Sequence, residues 1–384
     1  MANSEDDKKL NVPHSPFRGQ GGSFIIAGGG TGGHIFPAIA IANAIKQLLP
    51  DAQILFVGAK GKMEMEKVPQ AGYKIEGLDI AGFNRSSLIK NIALPYKLIK
   101  SFFQVKKIIN SFKPDAIIGV GGYSSFPVLR YAQTKGIATF IHESNSFAGK
   151  SNMLLAKKAT MVFVASDGME KFFPTDKIVI TGNPVRKQIA ESTITKKEAL
   201  QFFGLDENKK TLFVVGGSLG ARSINDVIAS HLYDVETLNI QLIWQTGKNN
   251  AAAYIQKAKA FKNVWVSEFI KEMEMAYAAA DVVISRSGAM AVTELCVYDK
   301  AVVFVPFPHA AEDHQTSNAR NLVEKNAALM VKDDEVQSKL FPVATNLLFD
   351  EVQQEKLRQN IRVLAVSNAD EIIAKEIIKT INQA

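Results

Sequence analysis

Short apolar runs alternate with longer stretches of helical period along the whole chain, the pattern of a parallel sheet covered by helices. In the first half the runs predict strands at 23–27, 53–57, 115–120, 138–142, 161–165 and 177–181. In the second half they predict strands at 211–215, 241–245, 264–266, 281–285, 301–305 and 328–331. Each half restarts with an apolar strand that runs into a glycine loop and then a helical pattern. The stretch 182–199 between them is polar, holds Pro184 and has no strong apolar period, so it reads as the linker. The expected fold class is therefore α/β, two tandem Rossmann-like domains with parallel sheets facing a cleft. The expected boundaries are a polar tail over 1–20, a first domain over 21–185 and a second over 186–365. The last segment, 366–384, carries a helical pattern at 371–382 with Ile372, Ile373, Ile377, Ile378 and Ile381 on it. Such a helix must dock, and the first domain is the expected place. Open parallel sheets bind ligands beyond the carboxyl ends of their strands, which puts the site in the cleft.

Composition narrows the class. The 384 residues suit two domains, and 47% hydrophobic with 22% charged residues excludes a disordered chain or a collagen-like fibre. A single cysteine rules out a disulfide scaffold and a cysteine-built zinc site, and it fits a reducing cytosol. No apolar run is long enough to span a bilayer, and the first twenty residues lack the apolar core of a secretory signal. The net charge of +7 has one main source. From Ala81 to Pro114 the basic residues Arg85, Lys90, Lys97, Lys100, Lys106, Lys107 and Lys113 occur with no acid. Leu88, Ile89, Ile92, Leu94, Leu98, Ile99, Phe102 and Phe103 are interleaved with them, and Pro95 is expected to break the segment into two short helices or a loop and a helix. The pattern allows either an inward-packed helix with a solvated basic face or a surface resting on an anionic membrane. No nucleic-acid recognition signature accompanies it.

Three glycine loops follow predicted strands: Gly28 to His34 (GGGTGGH), Gly119 to Ser125 (GVGGYSS) and Gly216 to Arg222 (GGSLGAR). Glycine lets a ligand approach the backbone, and the helix N-terminus that follows favours negative charge. Gly28, Gly30 and Gly33 satisfy G-x-G-x-x-G, but the second strand ends Phe56-Val57-Gly58-Ala59 without the acid a dinucleotide ribose requires. None of the loops ends in Gly-Lys-Ser/Thr, so a nucleoside triphosphatase is not supported.

Polar residues gather at the same strand ends. Arg186, in Gly182-Asn183-Pro184-Val185-Arg186, sits at the domain junction, where a guanidinium can grip a diphosphate in fork geometry. Arg286-Ser287-Gly288-Ala289-Met290-Ala291-Val292-Thr293-Glu294 opens a helix with small residues where phosphate can dock. Glu294, a turn or two inside, can accept two hydrogen bonds from a ribose diol. His142-Glu143-Ser144-Asn145 and the run His309 to Gln315 close the set. Their spacing does not match H-E-x-x-H, and no D-x-D dyad occurs, so no metal and no cofactor are expected.

Seven motifs in order carry a resemblance: GGTGGH at 29–34, GGYSS at 121–125, HESN at 142–145, GNPVR at 182–186, GGSLGAR at 216–222, RSGA at 286–289 and HQTSNA at 314–319. From about Ser23 to the C-terminus the chain resembles the MurG family, the N-acetylglucosaminyltransferases that complete lipid II in bacterial peptidoglycan synthesis. The resemblance implies a metal-independent GT-B fold with UDP-N-acetylglucosamine held mainly by the second domain. It implies that Ile270 meets the uracil through its backbone and that Glu294 holds the ribose. Arg186, Ser218 and the helix start Ala289, Met290, Ala291, Val292 and Thr293 would hold the diphosphate. Asn145 and Gln315 would bind the sugar, with Thr31, Gly32 and Gly33 closing on it. The acceptor, an undecaprenyl-diphosphate-linked muramyl pentapeptide (lipid I), would use Gly30, Gly121, Gly122 and Tyr123 for its diphosphate. Leu88, Ile89, Lys90, Lys97, Lys100, Phe102 and Phe103 would then rest on the anionic inner leaflet, placing the protein peripherally on the cytoplasmic side of the inner membrane. Two positions depart from the family pattern: Ser144 stands where Gln is expected, and Ala291 where Ser or Thr is usual.

An inverting transfer needs a base for the C4 hydroxyl of the muramyl sugar. His34, beside the first glycine loop and a helix N-terminus, is the expected base, with Glu143 next. A UDP-sugar 2-epimerase would share the twin-domain architecture but leaves the basic apolar segment unexplained. A membrane-surface binding module would explain that segment but not the three glycine loops with Arg186 and Glu294.

Overall fold

The computed structural model describes residues 21–82, 92 and 94–383. The first sheet holds seven strands: β1 (Ser23–Ala27), β2 (Gln53–Ala59), β3 (Lys74–Leu78), β4 (Ala116–Gly119), β5 (Ala138–Glu143), β6 (Met161–Val164) and β7 (Ile178–Ile180). The second holds six: β8 (Thr211–Val215), β9 (Gln241–Gln245), β10 (Val264–Ser267), β11 (Val282–Ser285), β12 (Ala301–Phe304) and β13 (Leu329–Met330). Every pairing is parallel, in the orders β3-β2-β1-β4-β5-β6-β7 and β10-β9-β8-β11-β12-β13. Both sheets therefore reverse strand order beside their first strand, the place where such folds form a ligand crevice.

The strands read as continuous apolar runs because both faces of each sheet are covered. Phe24 and Ile26 enter the core on one face of β1, while Ile25 and Ala27 enter the core on the other. In β8, Leu212 and Val214 alternate in the same way with Phe213 and Val215. The two domains also share an end device. The backbone N–H of Ser23 donates to Asp115 at 2.8 Å, and that of Thr211 donates to Asp281 at 2.8 Å. Each aspartate precedes the strand that lies beside the first strand of its sheet.

All twelve strands expected from the apolar runs are present, most with ends shifted by a residue or two. The strand the pattern missed is β3. It is an edge strand whose Lys74 and Glu76 face solvent, so it lacks the apolar run of its neighbours. Pro95 lies in the first turn of the helix Leu94–Phe112, where its missing N–H costs nothing; residues 83–91, ahead of it, lie outside the described residues.

The chain crosses between domains twice, and Val366 of the return crossing packs against Gly182 of the outward one. The final helix, Ala369–Asn382, lies against the helix Gly32–Leu48 and places Ile373, Ala374 and Ile377 in the core of the first domain. Burying Ile373 and Ile377 contributes about 1.5–3 kcal/mol each. The second crossing is thus anchored at both ends.

Candidate active site

The glycine loops are built by close backbone contact. Gly122 has φ +81°, and a Cβ there would lie 2.5 Å from the carbonyl oxygen of Gly29, so the first two loops pack backbone to backbone. In the second domain Gly220 has φ +84°, and a Cβ would lie 2.2 Å from the carbonyl oxygen of Thr246. Gly122→Ala should destabilise the fold by about 1–3 kcal/mol through strain and the displaced loop, read as a lowered midpoint of thermal or urea unfolding. A midpoint equal to the parent's would show that the loops are not locked together.

Beneath the first loop lies Glu64, a buried carboxylate the sequence reading did not single out. It accepts from the N–H of Gly30 at 2.8 Å and of Ala59 at 3.0 Å, tying the loop to the end of β2. The signal that could have found it is an acid opening the helix Glu64–Gln70 next to an acid-free strand end. Tyr123 packs its ring against Gly82 and approaches Gly30, and burial, with Glu64 nearby, raises its hydroxyl pKa above the ordinary value.

His34 opens the helix Gly32–Leu48. Its Nδ1 lies 3.0 Å from the carbonyl oxygen of Gly29. A carbonyl only accepts, so in the neutral ring the proton sits on Nδ1 and Nε2 is bare. Nε2 points at Gly121, where a Cβ would stand 2.8 Å away. His142 lies close by, fully buried, and desolvation pushes its pKa down to about 4. A base with a lowered folded pKa contributes stability that is present above its unfolded pKa of about 6.5 and is lost as pH falls toward 4. His142→Asn should flatten that part of the stability–pH curve, measured by urea unfolding at a series of pH values. An unchanged slope would assign the loss to other groups.

Glu143 ends β5 and is saturated with hydrogen bonds. It accepts from the backbone N–H and Nδ2 of Asn145 at 3.1 and 3.2 Å, from the N–H of Gly149 at 3.1 Å and from Nδ2 of Asn152 at 2.9 Å. That arrangement suits ordering the loop that carries Asn145 better than taking a proton. Ser144, the departure noted above, is buried, with its hydroxyl 3.4 Å from Nδ1 of His142.

The domains meet through amide side chains. Nδ2 of Asn318 donates to Oδ1 of Asn145 at 3.2 Å and to the carbonyl of Ser287 at 3.1 Å, while its Oδ1 accepts from the N–H of Ser146 at 2.8 Å. Asn183 donates to the carbonyl of Ser144 and to Oγ1 of Thr293, both at 3.0 Å. Neither Asn183 nor Asn318 was among the expected site residues, although each lies inside a motif. Gln315 is tied by Phe307 N–H to its Oε1 at 3.0 Å, and its carbonyl accepts from Ser287 Oγ at 2.8 Å.

In the second domain, Gly288 caps the helix Ala289–Val297, and the space a Cβ would fill there is open. Met290, Ala291 and Val292 form the first turn, while Thr293 bonds back to the carbonyl of Ala289. Glu294 is buried and is gripped by Arg186, whose Nε and Nη2 reach Oε1 at 2.9 and 2.8 Å. The Tyr277 hydroxyl donates to Oε2 at 3.1 Å. Burial raises the Glu294 pKa above the ordinary carboxylate value, opposed by Arg186. The two residues expected to hold ribose and diphosphate thus hold each other here. Arg286 does not face the helix start: it donates to the carbonyls of Val305 and Pro306, to Asp333 and to Ser223, pinning the loops around it. Ser218 is exposed on the third loop. The N–H of Ile270 donates to Gln245 Oε1 at 2.9 Å. Thr31, Gly32 and Gly33 lie at the start of the helix Gly32–Leu48, with Thr31 exposed.

The basic segment has two apolar sides. In the helix Leu94–Phe112, Ser101, Val105 and Ile109 face inward, whereas Tyr96, Ile99 and Phe103 stand 59–70% exposed on the opposite side, with Ile92 just before the helix 77% exposed. Phe102 is half-buried between the two sides, and Lys100 pairs with Asp79 at 3.0 Å. Leu88, Ile89 and Lys90 lie outside the described residues.

Comparison with known proteins fits this geometry. Residues 24–164 match the glycosyltransferase family 28 N-terminal domain, and residues 211–375 match the family 28 C-terminal domain. The chain belongs to glycosyltransferase family 28. A relative from Bacteroides thetaiotaomicron is 52% identical over 359 residues, 92% of this chain and 96% of its own. One from Bacteroides fragilis is 50% identical over 372 residues, 95% of this chain and 98% of its own. Both are named UDP-N-acetylglucosamine–N-acetylmuramyl-(pentapeptide) pyrophosphoryl-undecaprenol N-acetylglucosamine transferases. The crystal structure of Acinetobacter baumannii MurG superimposes with a TM-score of 0.77 at 29% identity, covering 93% of this chain and 99% of that one. Within family 28, the paired domains and the cleft between their strand ends are a two-domain GT-B glycosyltransferase fold.

Proposed function

We propose that this family 28 enzyme transfers N-acetylglucosamine from UDP-N-acetylglucosamine to the C4 hydroxyl of undecaprenyl-diphosphate-linked N-acetylmuramyl pentapeptide, converting lipid I to lipid II in peptidoglycan synthesis. The names of the full-length relatives support the substrates. The observation that carries the chemistry is His34: Nδ1 is anchored to Gly29, and bare Nε2 is aimed at the seam between the first two glycine loops. In one in-line displacement the acceptor oxygen bonds to the anomeric carbon as the bond from that carbon to the diphosphate oxygen breaks. UDP departs with the electron pair, and the hydroxyl proton passes to Nε2 of His34. Asn145 and Gln315 orient the sugar, with Thr31, Gly32 and Gly33 closing over it. The start of the helix Ala289–Val297, with Ser218 and Arg186, receives the diphosphate charge, so the sequence needs no acidic dyad to hold a metal. Glu294 accepts from the ribose once Arg186 turns toward the diphosphate. Gly30, Gly121, Gly122 and Tyr123 cradle the acceptor diphosphate.

The outward stripe of Ile92, Tyr96, Ile99 and Phe103, flanked by Lys97, Lys106 and Lys107, supports peripheral contact with the anionic cytoplasmic face of the inner membrane, where the lipid-linked acceptor lies. No helix among the described residues is long and apolar enough to cross a membrane. The deciding experiment measures UDP release from UDP-N-acetylglucosamine in EDTA with and without the lipid-linked acceptor. Release that requires the acceptor and survives chelation is the expected result. Turnover without acceptor would turn the reading toward an epimerase or hydrolase.

A further inference from the structure

At the opposite end of the second sheet from the cleft, where the strands begin, lies a polar cavity of about 430 Å³ that the proposed reaction does not use. Ser192 and Lys196 line it from the interdomain connection and the helix after it. Asp281 and Lys300 line it from the residues just ahead of β11 and β12, with Tyr298 beside them. Arg358 reaches in from the helix Glu351–Arg362.

The charges in this wall do not balance. Asp281 is taken by Lys196 and by the N–H of Thr211. Arg358 is held from outside the cavity by Asp299 and Glu355. Lys300 donates to the carbonyl of Ala280 at 2.9 Å and, among the described residues, forms no ion pair. The Tyr298 hydroxyl is buried beside Ser192 without a partner in hydrogen-bond geometry. An ammonium with one carbonyl and no carboxylate, and a buried hydroxyl without a partner, both gain from an oxyanion placed between them.

We propose that this cavity is a second binding site, for the phosphate or carboxylate group of a small anionic metabolite, with Lys300 and Arg358 supplying charge and Tyr298 a hydrogen bond. The site adjoins the donor side through one ring pair: Tyr298 lies 5.3 Å from Tyr277, which holds Glu294. Burial, with Arg358 and Lys196 nearby and Asp281 and Asp299 opposing, brings the Lys300 pKa down to about 8. Anion binding should therefore be strongest below that pH and weaken above it.

The test is calorimetric titration of the full chain held saturated with UDP, so that the donor diphosphate site is closed. The probes are inorganic phosphate and malonate, with sulfate, whose charge is constant, for the pH series. One saturable site is expected at millimolar or lower concentration, and the tighter of phosphate and malonate names the ligand class. Lys300→Met should weaken it by about tenfold or more, and Tyr298→Phe, which keeps the ring pair, by a few fold. Sulfate affinity should drop between about pH 7 and pH 9 in the parent and stay flat in Lys300→Met. Absence of a saturable site, or binding that Lys300→Met and Tyr298→Phe both leave unchanged, would overturn the proposal.

Discussion

His34→Ala is expected to lower kcat by about 10²–10⁴ while leaving UDP affinity nearly unchanged. The separation follows from where the ring sits. It is fixed by the first glycine loop through Gly29 and points toward the second, whereas Arg186, Glu294 and the helix Ala289–Val297 lie in or beside the other domain. On the proposed reading, loss of the ring removes the proton acceptor for the attacking oxygen, so the defect belongs in turnover and not in donor binding. Two readouts separate this from a merely structural role. The affinity for UDP should stay near the parent's, and the unfolding midpoint should move little, since the ring is only half-buried. A variant that keeps its kcat would move proton transfer elsewhere. Glu143 is poorly placed to take it over, because four donors already occupy its carboxylate.

Arg186→Ala should fail in two ways at once. The Glu294 carboxylate is buried, and Arg186 is the charge that compensates it, so deletion should cost about 3 kcal/mol of stability at neutral pH and weaken UDP binding. The folded-state pKa of Glu294 is already raised by burial, and removing Arg186 raises it further. A carboxyl whose folded pKa exceeds its unfolded value contributes stability that is present below the unfolded pKa and lost as pH rises through the folded one. The deficit of Arg186→Ala should therefore be largest at neutral pH and shrink as pH falls toward the ordinary carboxylate range. The double variant Arg186→Ala, Glu294→Gln leaves no uncompensated charge at this place and should regain most of the stability at pH 7 while still binding UDP weakly. Urea unfolding at several pH values reads the first effect and calorimetry with UDP the second. If the double variant bound UDP as the parent does, neither residue would belong to the donor site.

Much of this molecule was legible before folding, and the reason is local. A strand buried on both faces must be apolar along its whole length, so twelve of thirteen strands announced themselves; β3 escaped because an edge strand keeps Lys74 and Glu76 in water. Glycine loops were visible because close backbone approach leaves no room for Cβ, as at Gly122 against Gly29. The ordered motifs supplied the family, since each is a short run of fixed residue types that can be read without its neighbours in space.

Side-chain partnerships were not legible, because residue type does not name a partner distant in the chain. Arg186 and Glu294 were both expected in the donor site, but their bond to each other spans 108 residues and exists only because the domain crossing runs beside the helix Ala289–Val297. Asn318 bridges Asn145 and Ser287, and Asn183 bridges Ser144 and Thr293, only once the two sheets face each other. Glu64 is an unremarkable acid until folding buries it under Gly30. The sequence by itself determined two parallel-sheet domains, their glycine loops and the basic, apolar composition of the segment before β4, because periodicity and composition act within one element. The tertiary structure alone decided which face of the helix Leu94–Phe112 is left to the outside, which carboxylates are committed to loops, and where unpaired charge is trapped around Lys300. Those outcomes depend on desolvation and on distances between elements, which exist only in the folded chain.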